Sequence, residues 1–242
     1  MCHLSENITS SKRVLHFGVS LKNSPKLQLT RENYAIVDKR NSIGNELRMK
    51  SLLSEEDRKA IYADENCCVY TDSWCENHRA DCIKNFDLNM QYMHNLSSED
   101  FNAALNKFLK KNRKLINIVD LNDCEYVEGI YIMVLDKYKQ IYIGQSSNIK
   151  RRILSHWSKV KSFDRLIFGS VERSILSIDC FGALDTTRIY IYPTKTTFEE
   201  EARLVDTMDP RYLLNRTAGG IGMNNMYKLE IFTNAKNRNF EK

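Results

Sequence analysis

Tyr131 and Tyr142 stand in apolar stretches with ten residues between them, Arg152 and His156 follow at a spacing of one helical turn, and three consecutive glutamates occupy positions 199 to 201. Together these residue types can attack a phosphate. A planar guanidinium grips phosphate oxygens, a carboxylate holds a hard divalent cation, and a phenol or imidazole moves a proton. Each residue alone has a plainer reading. The tyrosines fit amphipathic core positions, and a histidine on an apolar face is commonly a hydrogen-bonded core residue. The question is whether the intervening elements bring them together.

The stretch Val127 to Leu135 is predicted as a strand from its length and β-branched content, with Ile141 to Gly144 pairing to it across the polar turn DKYKQ. Alternation puts Ile130, Ile132 and Val134 on one face and Tyr131 on the other. Gly144 is expected to let the chain turn sharply from Tyr142 into a helix. In that helix, at about 100° per residue from Ile149, Ile153, Trp157 and Val160 fall within about 80° on one side. Arg152 falls at about −60° and His156 at about −20°, whereas Arg151 points into solvent at about 200°. Helical phase therefore selects Arg152 over its neighbour.

Phase also separates the three glutamates. A strand Arg188 to Tyr192 ends at Pro193, and Thr197 with Glu200 three residues later reads as a capping box opening a helix. Glu199 is placed to pair with Arg203 at i+4. Glu201 falls inside the apolar arc made by Phe198, Ala202, Leu204, Val205 and Met208. A carboxylate buried there without a partner costs several kcal/mol, so an arginine, a hydrogen-bond network or a cation should accompany it. A metal ligand facing Arg152 is the preferred expectation.

Gly129-Ile130-Tyr131 and, after ten residues, Tyr142-Ile143-Gly144 reproduce the signature that names the GIY-YIG nucleases. Asn148, Arg152 and His156 match that family's helix pattern, and Glu201, Pro210 and Asn215 match its C-terminal metal-site motif. The resemblance covers roughly Tyr126 to Gly222. His156 and Ala218-Gly219-Gly220 look most like the restriction-endonuclease branch. Departures are Gln145, the wide separation of Pro210 from Asn215, and an insertion-like stretch from Ser162 to Asp185. They bear on substrate class more than on chemistry.

The resemblance implies a small mixed sheet flanked by helices and Mg²⁺-dependent phosphodiester hydrolysis, with Mn²⁺ as a substitute. It implies DNA as substrate, a type II-like restriction activity, and a homodimer or higher homo-oligomer. Glu201 would hold the metal, Arg152 would bind the phosphate, Tyr131 would act as general base through a phenolate favoured by nearby cations, and Tyr142 and His156 would orient or share the proton transfer. Asn215 would tie the last segment to the site. Alternative readings are a catalytically silent nucleic-acid-binding protein that keeps the fold, or a structure-specific or RNA-directed nuclease.

The rest of the chain bounds this picture. With 242 residues and 42% apolar content there is enough material for a real core, and the expected class is α/β of the α+β kind. A net charge of +5 leans towards an anionic partner. From Lys137 to Phe163 there are seven Lys or Arg and no Asp or Glu; Lys107, Lys110, Lys111, Arg113 and Lys114 form a second acid-free patch. No window has the length and apolarity of a membrane helix, no secretory signal opens the chain, and an odd count of seven cysteines suits a reducing compartment, so a cytoplasmic protein is expected. Residues 1–123 are expected as a mainly helical accessory region, 124–225 as the nuclease domain and 226–242 as a tail. Within the first region, helices are predicted from Asn41 to Tyr62 with Ser54 in a capping position and from Ser98 to Asn112 capped by Ser97. One or two strands are predicted before residue 38. Cys67, Cys68, Cys75, His78 and Cys82 have metal-ligand types, and a structural Zn²⁺ held by Cys68, Cys75, His78 and Cys82 is one reading, buried free cysteines being the other.

Overall fold

In the computed structural model, residues 13–37 and 53–216 are described. Much of the helix predicted from Asn41, the Ala218-Gly219-Gly220 motif and the tail 226–242 lie outside them. Among the described residues the elements are β1 (Arg13–His16), β2 (Val19–Lys22), α1 (Glu55–Ile61), α2 (Asp72–Asn95) and α3 (Ser98–Lys111). There follow β3 (Ile116–Ile118), β4 (Gly129–Leu135), β5 (Gln140–Ser146), α4 (Ile149–Ser158), β6 (Arg188–Pro193) and α5 (Thr197–Thr207). The class is mixed α+β.

A four-stranded sheet of order β3-β6-β4-β5 carries the molecule. β4 is buried along its whole length because it pairs on both sides, Ile132 opposing Ile143 on β5 and Tyr190 on β6. Its alternation feeds two cores. Ile130, Ile132 and Val134 join Ile141, Ile143 and residues of α3 and α5, while Tyr131, Met133 and Leu135 face residues of α2, α4 and the irregular segment before β6. The predicted DKYKQ turn is a single 3-10 turn over Asp136–Tyr138 that closes on Lys139 in the left-handed region.

The sheet differs from expectation in direction. All its ladders are antiparallel, and the parallel component is the bridge between Ile141 and Leu213, extended by Leu214 N–H donating to Ile141 O at 2.9 Å. The boundary expected at Asp123 does not match the packing either, since β3 lies before it and belongs to the sheet. Nor does the first region stand as a helical unit. Among the described residues it contributes the β1–β2 hairpin, three helices and a sheet strand to the shared cores.

Local chemistry explains the helix starts. Ser54, Thr71, Ser97 and Asn148 each accept a backbone N–H of the first turn through the side chain, as N-caps do. The start of α5 departs from the predicted capping box. Thr196 is the N-cap and makes no side-chain cap bond, and Thr197 is the first helical residue, buried at 7% exposure. Arg203 pairs with Glu200 at 2.7 Å instead of Glu199. Among the described residues no helix is long and apolar enough to cross a membrane.

One buried carboxylate joins the first segment to the sheet. Asp185, at 2% exposure, accepts Leu29 N–H at 2.7 Å, Gly182 N–H at 2.8 Å and the Tyr138 hydroxyl at 3.0 Å. Asp185→Ala strands all three donors away from water, and the expected loss is about 3 kcal/mol of stability. Urea unfolding of the variant beside the wild type checks this, and a loss below about 1 kcal/mol would mean that water replaces the carboxylate.

Candidate active site

β4, β5 and α4 converge on one cluster of polar side chains. Tyr131 and Gly144 are cross-strand partners, and the Tyr131 ring lies over the glycine so closely that a methyl group there would overlap its hydroxyl and ring carbon. Gly144 sits inside β5, which runs on to Ser146, so its role is to make room for Tyr131 and not to turn the chain. Tyr142, two residues earlier on the same strand face, reaches the same space, with its ring centroid 6.1 Å from that of Tyr131.

α4 supplies the other half. Its register buries Ile149, Ile153, His156 and Trp157. Arg151 and Arg152 are both exposed, but Arg152 is the one whose charge acts on Tyr131 and Tyr142. His156, at 3% exposure, places Nε2 at 2.7 Å from the Tyr131 hydroxyl and Nδ1 at 2.6 Å from Asp179 Oδ1. Asp179 comes from the 3-10 turn Ile178–Cys180, in the irregular stretch between α4 and β6.

The protons in this chain can be assigned. Burial pushes the Asp179 carboxyl up, but the hydrogen bond and charge of His156, with Lys159 and Lys161, outweigh it and hold the group below its usual range. A carboxylate only accepts, so the proton between them rests on Nδ1 of His156. Whenever the ring carries a single proton, Nε2 is therefore the acceptor and the Tyr131 hydroxyl donates to it; in the doubly protonated ring the direction reverses.

Burial pushes the Tyr131 phenol well above its ordinary value, and Tyr142 raises it further, against a smaller lowering by Arg152. Tyr142 is pushed up to about 12, by burial first and the Glu201 charge next, against the lowering by Arg152. The expectation that nearby cations favour phenolate at Tyr131 therefore meets an opposing and larger desolvation. The resting site holds neutral phenols.

Glu201 projects from α5 at 7% exposure, inside the helix's buried face as phase indicated, and close enough for its charge to act on Tyr142. A single buried carboxylate with hard oxygen donors suits Mg²⁺, which keeps most of its ligands as water and phosphate oxygen. Asn215 runs beside the edge of β5, accepting Ile143 N–H at 3.1 Å and donating to Ile143 O at 2.7 Å. This two-bond clasp aligns the segment after α5 with the strand that carries Tyr142.

The six site residues taken from the sequence thus line β4, β5, α4, α5 and the strand-like segment beside β5. The zinc set is arranged differently from a metal cage. Cys75, His78 and Cys82 all lie on α2, where His78 Nε2 is 2.8 Å from Phe163 O and 3.4 Å from Cys82 Sγ. Cys68 lies before the helix and donates through Sγ to Asn66 O at 3.3 Å. Among the described residues no three His, Cys, Asp or Glu are grouped to hold a metal ion. Asp179 is the polar residue of the cluster that sequence reading missed, since it sits in an irregular stretch with no periodicity to set its facing.

No protein-family model, no curated protein and no solved structure matches this chain, so the assignment of the site rests on its own residues and geometry.

Proposed function

We propose that the protein is a divalent-metal-dependent endonuclease of the GIY-YIG type that hydrolyses phosphodiester bonds of DNA, in the manner of a type II-like restriction enzyme. The observation that carries this reading is the buried hydrogen bond between Tyr131 and His156, with Tyr142 packed against both rings and the charges of Arg152 and the buried Glu201 acting on the phenols. Such a set is difficult to account for as packing alone. Burying several polar side chains in a core gains little over apolar residues of the same size, whereas tyrosine, histidine, arginine and glutamate in one cluster fit phosphoryl transfer.

Glu201 would hold Mg²⁺, and the cation when bound neutralises charge on the scissile phosphate. Arg152 presents its fork to the same phosphate and stabilises the charge that develops as the water oxygen adds to phosphorus. The Tyr131 oxygen accepts the proton of the attacking water while the proton Tyr131 already carries passes to His156 Nε2. Phenolate is then never a resting state, in keeping with the effect of burial on this phenol. Tyr142 packs its ring beside Tyr131 from the second strand. Asn215 keeps the chain after α5, and with it the Glu201 side of the site, in register with β5.

DNA is the partner that the charge distribution favours. Lys110 and Lys111 end α3, and Lys114 lies 3.2 Å from the Tyr192 hydroxyl with its ammonium over that ring. Lysines so placed contact phosphates and position a duplex without reading its sequence. One site per chain cuts one strand, so a double-strand cut requires a second protomer or a second visit, and a homodimer is the expected working form.

With Mg²⁺ and long duplex DNA, discrete fragments are expected on a gel, and sequencing of the ends gives the recognition site; a smear would instead mark a nonspecific or structure-directed enzyme. Glu201→Ala is expected to lose nicking of supercoiled DNA by roughly 10²-fold or more while retaining DNA binding in a mobility-shift assay. Retention of Mg²⁺-dependent nicking by that variant removes the metal role.

Tyr131→Phe is expected to slow cleavage by about 10²- to 10⁴-fold. The pH profile separates a relay from a preformed phenolate. If ionised Tyr131 were required, the rate would climb about tenfold per pH unit up to the raised phenol value. The relay predicts no such climb between about pH 8 and 9.5, which single-turnover rates at saturating Mg²⁺ will measure.

A further inference from the structure

Asp179 is the polar member of the cluster that lies outside the family pattern. It belongs to the irregular segment between α4 and β6, yet its Oδ1 stands 2.6 Å from His156 Nδ1 on the side of the ring away from Tyr131. The line Asp179, His156, Tyr131 runs from a side chain at 12% exposure to a ring at 3% and a tyrosine at 1%. Its outer end lines a cleft with Trp157, Lys159 and Lys161.

The two ring contacts leave little freedom. A neutral imidazole has one N–H and one lone pair in the plane, and which nitrogen has which is set by the partner of the other. Without an acceptor at Nδ1, the ring can carry its proton on Nε2, and Nε2 then cannot receive the Tyr131 proton. An ionised Asp179 excludes that tautomer. It also faces the positive charge that appears on the ring once Nε2 is protonated, at a distance where the charges attract strongly in a buried site.

We infer that Asp179 is a positioning residue of the site, which fixes His156 as the Nδ1–H tautomer and stabilises the imidazolium formed when Tyr131 hands over its proton. This rests on the nuclease reading for its consequence in rate, but not for the tautomer itself. Each transfer is balanced. The O–H bond of water breaks as its proton joins the Tyr131 oxygen, the O–H bond of Tyr131 breaks as its proton joins Nε2, and Asp179 keeps its charge and accepts no proton. The His156 proton returns through the same tyrosine to the leaving oxygen or to water after cleavage.

A purely structural Asp179 would hold the turn at Ile178–Cys180 and nothing else. The two roles separate in kinetics. Asp179→Asn keeps the size of the side chain and removes its charge. Turnover is expected to fall by about 10²-fold with DNA binding and the melting temperature near those of wild type. In a His156→Gln background the same substitution is expected to add less than about twofold, because residues acting through one another do not add. A rate loss that is equal in both backgrounds, or that appears as weakened binding with unchanged turnover, overturns the proposal.

A second measurement needs neither a variant of Asp179 nor activity. With ¹⁵N-labelled histidine, and His156→Gln to identify the resonance, the wild-type protein is expected to show protonated Nδ1 and unprotonated Nε2 at neutral pH. Finding Nε2 protonated in the neutral ring overturns the proposal even if Asp179→Asn misfolds. Wild-type protein that cleaves no DNA but shows the expected tautomer sinks the nuclease reading and leaves the positioning role standing.

Discussion

The hydrogen bond from Tyr131 to His156 is the contact on which the rest of the site depends. It crosses the interface between β4 and α4, and both residues are almost fully buried. Inside a core such a bond is strong when made, and its polar atoms are expensive to leave without partners. Its formation constrains everything around it. β5 must have a glycine where the Tyr131 ring passes, α4 must present His156 in the phase that also buries Ile149, Ile153 and Trp157, and the far nitrogen of the ring must be given an acceptor. The geometry of the candidate site and the packing are the same set of restrictions.

The sheet makes those restrictions compatible. Because β4 pairs on both sides, its two faces are dedicated to different cores, and the tyrosine face is closed by α4 while the isoleucine face is closed by α3 and α5. Glu201 comes from the helix on the isoleucine face, yet its charge acts on Tyr142 of the other face. The place where that is possible is the end of the sheet formed by β5, an edge strand of the four, which α5 and the Leu213–Asn215 segment flank. An edge strand is thus covered by the chain's own later segment instead of being left as a template for association.

Features set by local periodicity were legible in the sequence. Phase on α4 set Arg152 and not Arg151 beside the phenols, although both are exposed, phase on α5 buried Glu201 among three glutamates, and Ser54 and Ser97 marked helix starts. Features set by long-range packing were not. The purpose of Gly144 depends on which ring lies across the strand from it, and the capping of α5 at Thr196 instead of Thr197 turns on burial of the Thr197 side chain. α2 was missed because it has no single apolar face. Its 24 residues bury Asn85 and Asn89 as deeply as Cys82.

Those asparagines explain how an irregular segment can carry a member of the site. From residue 162 to 185 the chain forms isolated 3-10 turns and little else among its described elements, so its backbone groups need partners from outside. α2 provides them, with Asn85 donating to Val171 O and Ser174 O, and Asn89 donating to Ser174 O and accepting Leu176 N–H. Arg216 donates to Ile175 O and Leu166 O, and Trp157 donates through its indole to Thr186. Burial pushes Arg216 down, yet guanidinium keeps its charge at any working pH and its donors are spent on carbonyls. Polar side chains therefore do for this segment what ladder hydrogen bonds do for a strand. Asp179 can hold His156 to within a hydrogen bond because the backbone beneath it is tied at several points to a long helix and to the chain leaving Asn215. On this view the first region is no separate accessory. Its longest helix is the support on which the irregular segment, and through it the candidate proton relay, is built.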